Sequence, residues 1–220
     1  MAALEAALTA VRTRIVAACE RSGRDPGDIR VVGVTKQVAP KVIEAAAAAG
    51  LREFGENYVK DLEIKRPAAP DAVWHFVGRL QRNKVPRVLR AADVVQTLEP
   101  GRSTGKLLEL AEDEETRRDC LIEVDFTGER VGAPPEELGP FADTVISAGV
   151  PLRGLMTVAP PETDPRPWFA KLRELRDRLR DRHEGIKELS MGMSTDLEVA
   201  VEEGATMVRV GTAIFGLRRR

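Results

Sequence analysis

Eight short apolar runs, each followed by a helix-like stretch or by the end of the chain, constrain this sequence more than any other feature in it. They read RVVGVTK (30–36), EFGEN (53–57), AVWHFVG (72–78), DVVQTLE (93–99), CLIEVDF (120–126), LRGLMTV (152–158), ELSMG (188–192) and MVRVGT (207–212). Helical patterns fill the gaps at 40–50, 57–66, 82–91, 102–118, 135–149, 166–184 and 194–204. Around 168–182 the pattern is plainest: Phe169, Leu172, Leu175 and Leu179 share one face, with arginines and aspartates on the other. Ahead of the first run, Leu4, Leu8, Val11, Ile15 and Ala18 recur at helical spacing, which predicts an extra N-terminal helix closed at Gly23.

Strands alternating with helices form parallel βα units. The runs are continuously apolar rather than alternating, as befits a sheet covered on both faces. A closed (β/α)8 barrel and an open doubly wound sheet both satisfy the pattern. An open dinucleotide-binding sheet carries Gly-x-Gly-x-x-Gly after its first strand, and no such turn follows residues 30–36. Residues 1–220 are therefore read as a single α/β domain, a (β/α)8 TIM barrel at the compact end of the range for that fold. No linker divides it: the alanine run 45–49 is helix interior, and PAAPDA (67–72) is a loop.

Composition removes several classes of function. Its 34 basic and 35 acidic residues leave a net charge of −1, which argues against nucleic acid or an anionic membrane as partner. His75, His183, Cys19 and Cys120 are scattered, without metal-ligand spacing. Two isolated cysteines and no apolar signal region fit a reducing cytoplasm, and no apolar run is long enough to span a bilayer.

In a parallel barrel, chemistry collects where strands end and βα loops begin. Those ends hold Lys36; Glu56 and Asn57; His75 and Gly78; Asp125; Met156 and Thr157; SMGMS (190–194); and RVGT (209–212). Lys36 alone supports two readings. It is either a desolvated amine able to capture an aldehyde, or a strand-end lysine whose stem lies on apolar surface while its ammonium reaches water. The C-terminal segment bears on the choice. Ser194 stands where the N-cap of a helix over 195–203 belongs, with Asp196 and Glu198 in the first turn and Gly204 closing it. Gly211 and Thr212 can offer N–H groups and a hydroxyl to an anion, in the loop position where barrels commonly hold phosphate. Taken singly, Ser194 is an ordinary cap, Gly211 a tight turn and Arg209 half of an ion pair. Taken together, an amine on the first strand and a phosphate cradle after the last two describe a pyridoxal 5'-phosphate site.

The stretches VGVTK (32–36), FGENYV (54–59), WHFVGRLQRNK (74–84), LRGLMTV (152–158), SMGMSTD (190–196) and VRVGTAIFG (208–216) resemble the pyridoxal phosphate homeostasis protein family. Its members are single-domain barrels similar to the N-terminal domain of alanine racemase. The resemblance implies Lys36 as the Schiff-base lysine, Ser194, Gly211 and Thr212 as phosphate ligands, and Arg209 facing the pyridine nitrogen. Asn57 and His75 join this cofactor-binding set as its more remote members. One departure stands out. Where the family usually has a lysine after the fifth strand, in a Ser-Lys-x-Gly context, this chain reads GERVGAP (128–134), so Arg130 keeps the charge and loses the primary amine.

An arginine at the pyridine nitrogen disfavours protonation there, which weakens the ring as an electron sink and argues against transamination and decarboxylation. Racemisation needs a second base on the opposite face of the substrate. In the racemases that the chain resembles, that base is a tyrosine from an additional domain; the single tyrosine here is Tyr58, and the sequence ends at Arg220. The expectation is a cytoplasmic monomer or weak dimer that holds pyridoxal phosphate reversibly, serves intracellular cofactor homeostasis and affects amino-acid and keto-acid pools. PLP-dependent apoenzymes are its expected recipients. A racemase of low activity is the alternative, and a phosphate-binding barrel enzyme using Lys36 as an acid or base is a third reading.

Overall fold

The computed structural model describes residues 2–216. Eight parallel strands close into a barrel in chain order: β1 (Arg30–Val34), β2 (Glu53–Glu56), β3 (Val73–Phe76), β4 (Val94–Leu98), β5 (Asp119–Glu123), β6 (Leu152–Met156), β7 (Glu188–Ser190) and β8 (Met207–Val210). Closure comes from β8 pairing back onto β1, with Arg30 opposite Met207 and Gly33 opposite Val210. Helix α1 (Ala2–Ser22) precedes the barrel. The outer layer is α2 (Pro40–Ala48), α3 (Val59–Lys65), α4 (Val85–Ala91), α5 (Arg102–Leu110), α6 (Leu138–Ser147), α7 (Arg166–Arg180), α8 (Leu197–Glu202) and the single turn α9 (Thr212–Phe215). The predicted (β/α)8 barrel with an added N-terminal helix is what the chain forms.

Alternation along each strand explains why the runs look continuously apolar. Val32, Val94, Leu121, Met156 and Met207 point inward and pack together inside the barrel. Their strand neighbours Trp74, Val95, Ile122, Leu155, Leu189 and Val208 point outward, into a larger core shared with the helices. Burying each such side chain stabilises the fold by roughly 1.5–3 kcal/mol, so both faces drive closure. The same parity sends His75, Gln96, Ser190 and Arg209 inward, and all four are buried. Helix α1 buries Leu8, Val11, Ile15 and Ala18 and packs across α8 and α9, so it braces the C-terminal edge of the barrel mouth.

The seven helices predicted around the barrel are all shorter than the sequence pattern suggests, and two of them show why. The 102–118 pattern breaks at Leu110, and a short turn over Glu114–Thr116 follows, with the Asp113 carboxylate accepting from the Glu115 N–H. Four consecutive acidic residues (112–115) are unfavourable at the negative end of a helix, so the chain caps and restarts. The helix expected over 195–203 begins only at Leu197, and Asp196 takes the cap position.

Candidate functional site

Lys36 lies in the turn just beyond β1. The Thr35 N–H still donates to the Gly55 carbonyl at 2.9 Å, the last rung between β1 and β2, and the Val38 N–H returns to the Thr35 carbonyl at 2.9 Å. Between them Gln37 has φ +63°, a left-handed conformation that costs a non-glycine residue on the order of 1 kcal/mol or more. The strain is held by what lies beneath. Glu56, fully buried at the end of β2, accepts from the Lys65 ammonium at 2.6 Å, the Thr35 hydroxyl at 3.0 Å and the Asn57 N–H at 2.7 Å. Lys65 also donates to the Thr35 carbonyl at 2.8 Å. One buried ion pair thus fixes the residue before Lys36 and the residue after β2 together.

Lys36, Gly211 and Thr212 line one cavity of about 630 Å³, with Val34, Val38 and Phe215 among its apolar walls. That size suits a small cofactor, since ligand sites run from about 300 to 1,000 Å³. Lys36 is half-buried, and its ammonium sits 5.9 Å from the centroid of the Tyr58 ring. Asn57 adjoins the same loop, and its backbone lies so close to Gly78 that a Cβ there would meet the Asn57 oxygen at 1.9 Å. Only glycine fits at position 78.

Ser194 does not cap α8. Its hydroxyl accepts from the Ala213 N–H at 3.2 Å, in the first turn of α9, while the Thr212 N–H finds no acceptor among the described residues. The three cradle residues expected from the sequence therefore meet, with Ser194 serving the helix turn that follows β8. The Asp196 carboxylate accepts from the Met193 N–H at 2.5 Å and shapes the loop that carries Ser194. Arg14, from α1, donates to the Ser194 carbonyl at 2.9 Å and pairs with Glu198 at 2.6 Å.

Arg209 is buried on the inner face of β8, two residues before Gly211. The ion pair considered for it does not form among the described residues. Nη1 instead donates to the Ser190 carbonyl at 2.7 Å and hydroxyl at 2.8 Å, and Nη2 donates to the Thr157 carbonyl at 2.8 Å. Of the five N–H donors of a guanidinium, Nε–H and one on Nη2 stay available to a ligand. Burial pulls the group down to about 10, with Glu123 opposing, and it remains cationic at neutral pH.

Glu123, at the inward-facing end of β5, is a mouth residue that the sequence reading passed over. Burial pushes its carboxyl up to about 7, against the pull of Arg130 and Arg209. The Arg130 guanidinium stands 3.8 Å from Glu123, and the Arg130 backbone N–H donates to the Asp125 carboxylate at 2.8 Å. The polar centre of the 93–99 run, a glutamine among valines, is the signal that marks Gln96 as a second inward polar residue.

His75 does not join the mouth. It bonds Glu53, the first residue of β2, at 2.9 Å and Gln96 at 2.8 Å. The cavity it borders is lined by Arg30, Val94, Asp119, Glu188 and Met207, the first residues of five strands. That is the opposite end of the barrel from Lys36. In a four-residue strand, one step separates the end from the middle, and the inward parity buried the ring.

The family model for the alanine racemase N-terminal domain matches residues 7–219. The pyridoxal phosphate homeostasis protein of Aquifex aeolicus is 42% identical, covering 96% of this chain and 97% of that protein. Its counterpart in Pseudomonas aeruginosa is 36% identical over 94% of this chain and 93% of that one. PipY of Synechococcus elongatus, solved with PLP bound, superposes with a TM-score of 0.85 at 30% identity, covering 97% of this chain and 100% of that chain. Alanine racemase of Corynebacterium glutamicum shares the barrel alone, with a TM-score of 0.73 at 17% identity over 96% of this chain and 61% of that one. The barrel, the strand-end motifs and near full-length identity agree: this chain belongs to the pyridoxal phosphate homeostasis protein family, within the fold of the alanine racemase N-terminal domain.

Proposed function

We propose that the chain is a single pyridoxal phosphate-binding domain that captures the cofactor at Lys36 and holds it reversibly, as a carrier in cofactor homeostasis. The observation that carries this reading is the cavity shared by Lys36, Gly211 and Thr212, with the Ser194 hydroxyl on the adjoining α9 turn. When bound, the cofactor supplies an aldehyde for amine capture and an electron-withdrawing ring. Thr212, Gly211 and Ser194 orient its phosphate through N–H and hydroxyl groups. Arg209 offers its remaining donors to the ring nitrogen, and as a cation it keeps a proton off that atom. Asn57 borders the site from the β2 end. His75 is removed from the ligand set.

An arginine in that position favours retention of the cofactor over strong carbanion chemistry, which supports binding and release rather than turnover. The names of the relatives support homeostasis as the role. Cytoplasmic location, delivery to PLP-dependent apoenzymes and a monomeric or weakly dimeric state complete the proposal. Among the described residues no helix is long and apolar enough to cross a membrane.

The purified protein mixed with pyridoxal phosphate should develop an absorption band near the edge of the visible, absent from Lys36→Ala. No band with the unaltered protein overturns the reading. Turnover of L-amino acids well above that of free cofactor overturns the carrier role while leaving the binding intact.

A further inference from the structure

Five buried or half-buried side chains form one hydrogen-bonded line through the barrel interior, from its lower end to Arg209. Arg209 Nη1 donates to the Ser190 hydroxyl at 2.8 Å, and the Ser190 hydroxyl donates to Gln96 Oε1 at 2.7 Å. Gln96 Nε2 lies 2.8 Å from His75 Nδ1, and His75 Nε2 lies 2.9 Å from Glu53 Oε2. Ser190, Gln96 and His75 are each 0% exposed.

The Arg209 end sets the polarity of this line. A guanidinium only donates, so the Ser190 oxygen accepts from Arg209 and its own hydrogen must go to Gln96. The Gln96 oxygen is thereby an acceptor, which turns its amide NH2 toward His75. Nδ1 must then present a lone pair, and the ring hydrogen sits on Nε2, donating to Glu53. Turning the Gln96 amide over would leave the buried Ser190 hydroxyl hydrogen without that acceptor, and such an unmade bond is costly. The carbonyls of Ser190 and Thr157 hold the other side of the guanidinium.

We propose that Gln96 is a positioning residue for Arg209: held by His75 from below, it locks the Ser190 hydroxyl and so fixes which Arg209 donors face the ring nitrogen of the bound cofactor. This rests on the reading that Arg209 faces that nitrogen. At the lower end Glu53 is the acceptor, with Arg30 at 3.7 Å, and Arg30 is itself held by Glu188 at 2.6 Å.

Two measurements test this, and the first needs no cofactor. Nitrogen-15 NMR of the His75 ring in the cofactor-free protein should show hydrogen on Nε2 and a bare Nδ1. In Gln96→Glu, whose carboxylate accepts at that position, the ring should take up a second hydrogen on Nδ1 while Nε2 keeps its own toward Glu53. A wild-type ring with its hydrogen on Nδ1 overturns the proposed polarity. In the second, the pH midpoint of the cofactor's visible band is compared among variants. Gln96→Leu and Ser190→Ala should each shift it by roughly 0.5 pH unit or more in the same direction, the double variant should shift it no further, and Ser190→Thr should restore it. Ser190→Ala removes only one oxygen and keeps the test open if Gln96→Leu does not fold. Midpoints equal to wild type in both single variants overturn the positioning role. A wild-type protein without any band sinks the cofactor reading instead, and the ring measurement still decides the polarity.

Discussion

Arg14 on α1 donates to the Ser194 carbonyl oxygen at 2.9 Å, across 180 residues of sequence. The helix that precedes the barrel therefore holds the loop whose hydroxyl serves the α9 turn. The same guanidinium pairs with Glu198 at 2.6 Å, with both side chains about one-third exposed, at 34% and 32%. An exposed pair of this kind adds at most about 1 kcal/mol to stability. Arg14→Ala should thus lower the melting temperature only slightly. It should weaken cofactor binding by roughly fivefold, the loss of one hydrogen bond's worth of order at the cradle. Titration with pyridoxal phosphate measures this, and unchanged affinity would separate α1 from the site.

Glu56 and Lys65 behave differently because both are buried, at 0% and 5% exposure. Removing one partner strands a charge, so Glu56→Ala or Lys65→Met should each cost about 3–5 kcal/mol in denaturant unfolding. Replacing both with apolar residues of similar volume should recover much of that loss. Because Glu56 also holds Thr35 and Asn57, the double variant should regain stability while binding the cofactor poorly.

Glu123 gives stability a pH dependence of known sign. Its carboxyl stands at about 7 in the folded protein against an ordinary value of 4.5, so between those values the folded state binds more protons than the unfolded one. Stability contributed by this group is present below pH 4.5 and falls as pH rises toward 7, by roughly 3 kcal/mol at most. Arg130 and Arg209 limit the effect, and Glu99 and Asp125 add to it. Glu123→Gln should flatten that part of the profile, and chemical denaturation from pH 4 to 8 reads it. An unchanged slope would mean that the carboxyl is solvated.

The barrel was legible because its strands are apolar on both faces, which only a covered parallel sheet requires. That Lys36, Gly211 and Thr212 share one cavity was legible because they follow β1 and β8, which closure makes neighbours. Ser194 reads as the cap of the next helix because Ser194, Thr195 and Asp196 are all good cap residues, and the local pattern cannot choose among them. Its actual partner, Ala213, comes from another element. Arg14 reads as one more charge on an amphipathic helix, since its role depends on where that helix docks. His75 was misplaced along the barrel axis, where strand-end reasoning has a resolution of one or two residues. Glu123 and Gln96 were visible as polar breaks in apolar runs, and only the inward parity gives them meaning.

The central claim is covalent capture at one lysine. Borohydride reduction of the protein with bound pyridoxal phosphate, followed by digestion and mass spectrometry, tests it most directly. The account predicts the added mass on the peptide containing Lys36 at near one equivalent, and none at that site after Lys36→Ala. Label spread over surface lysines, or concentrated on a lysine other than Lys36, would contradict it.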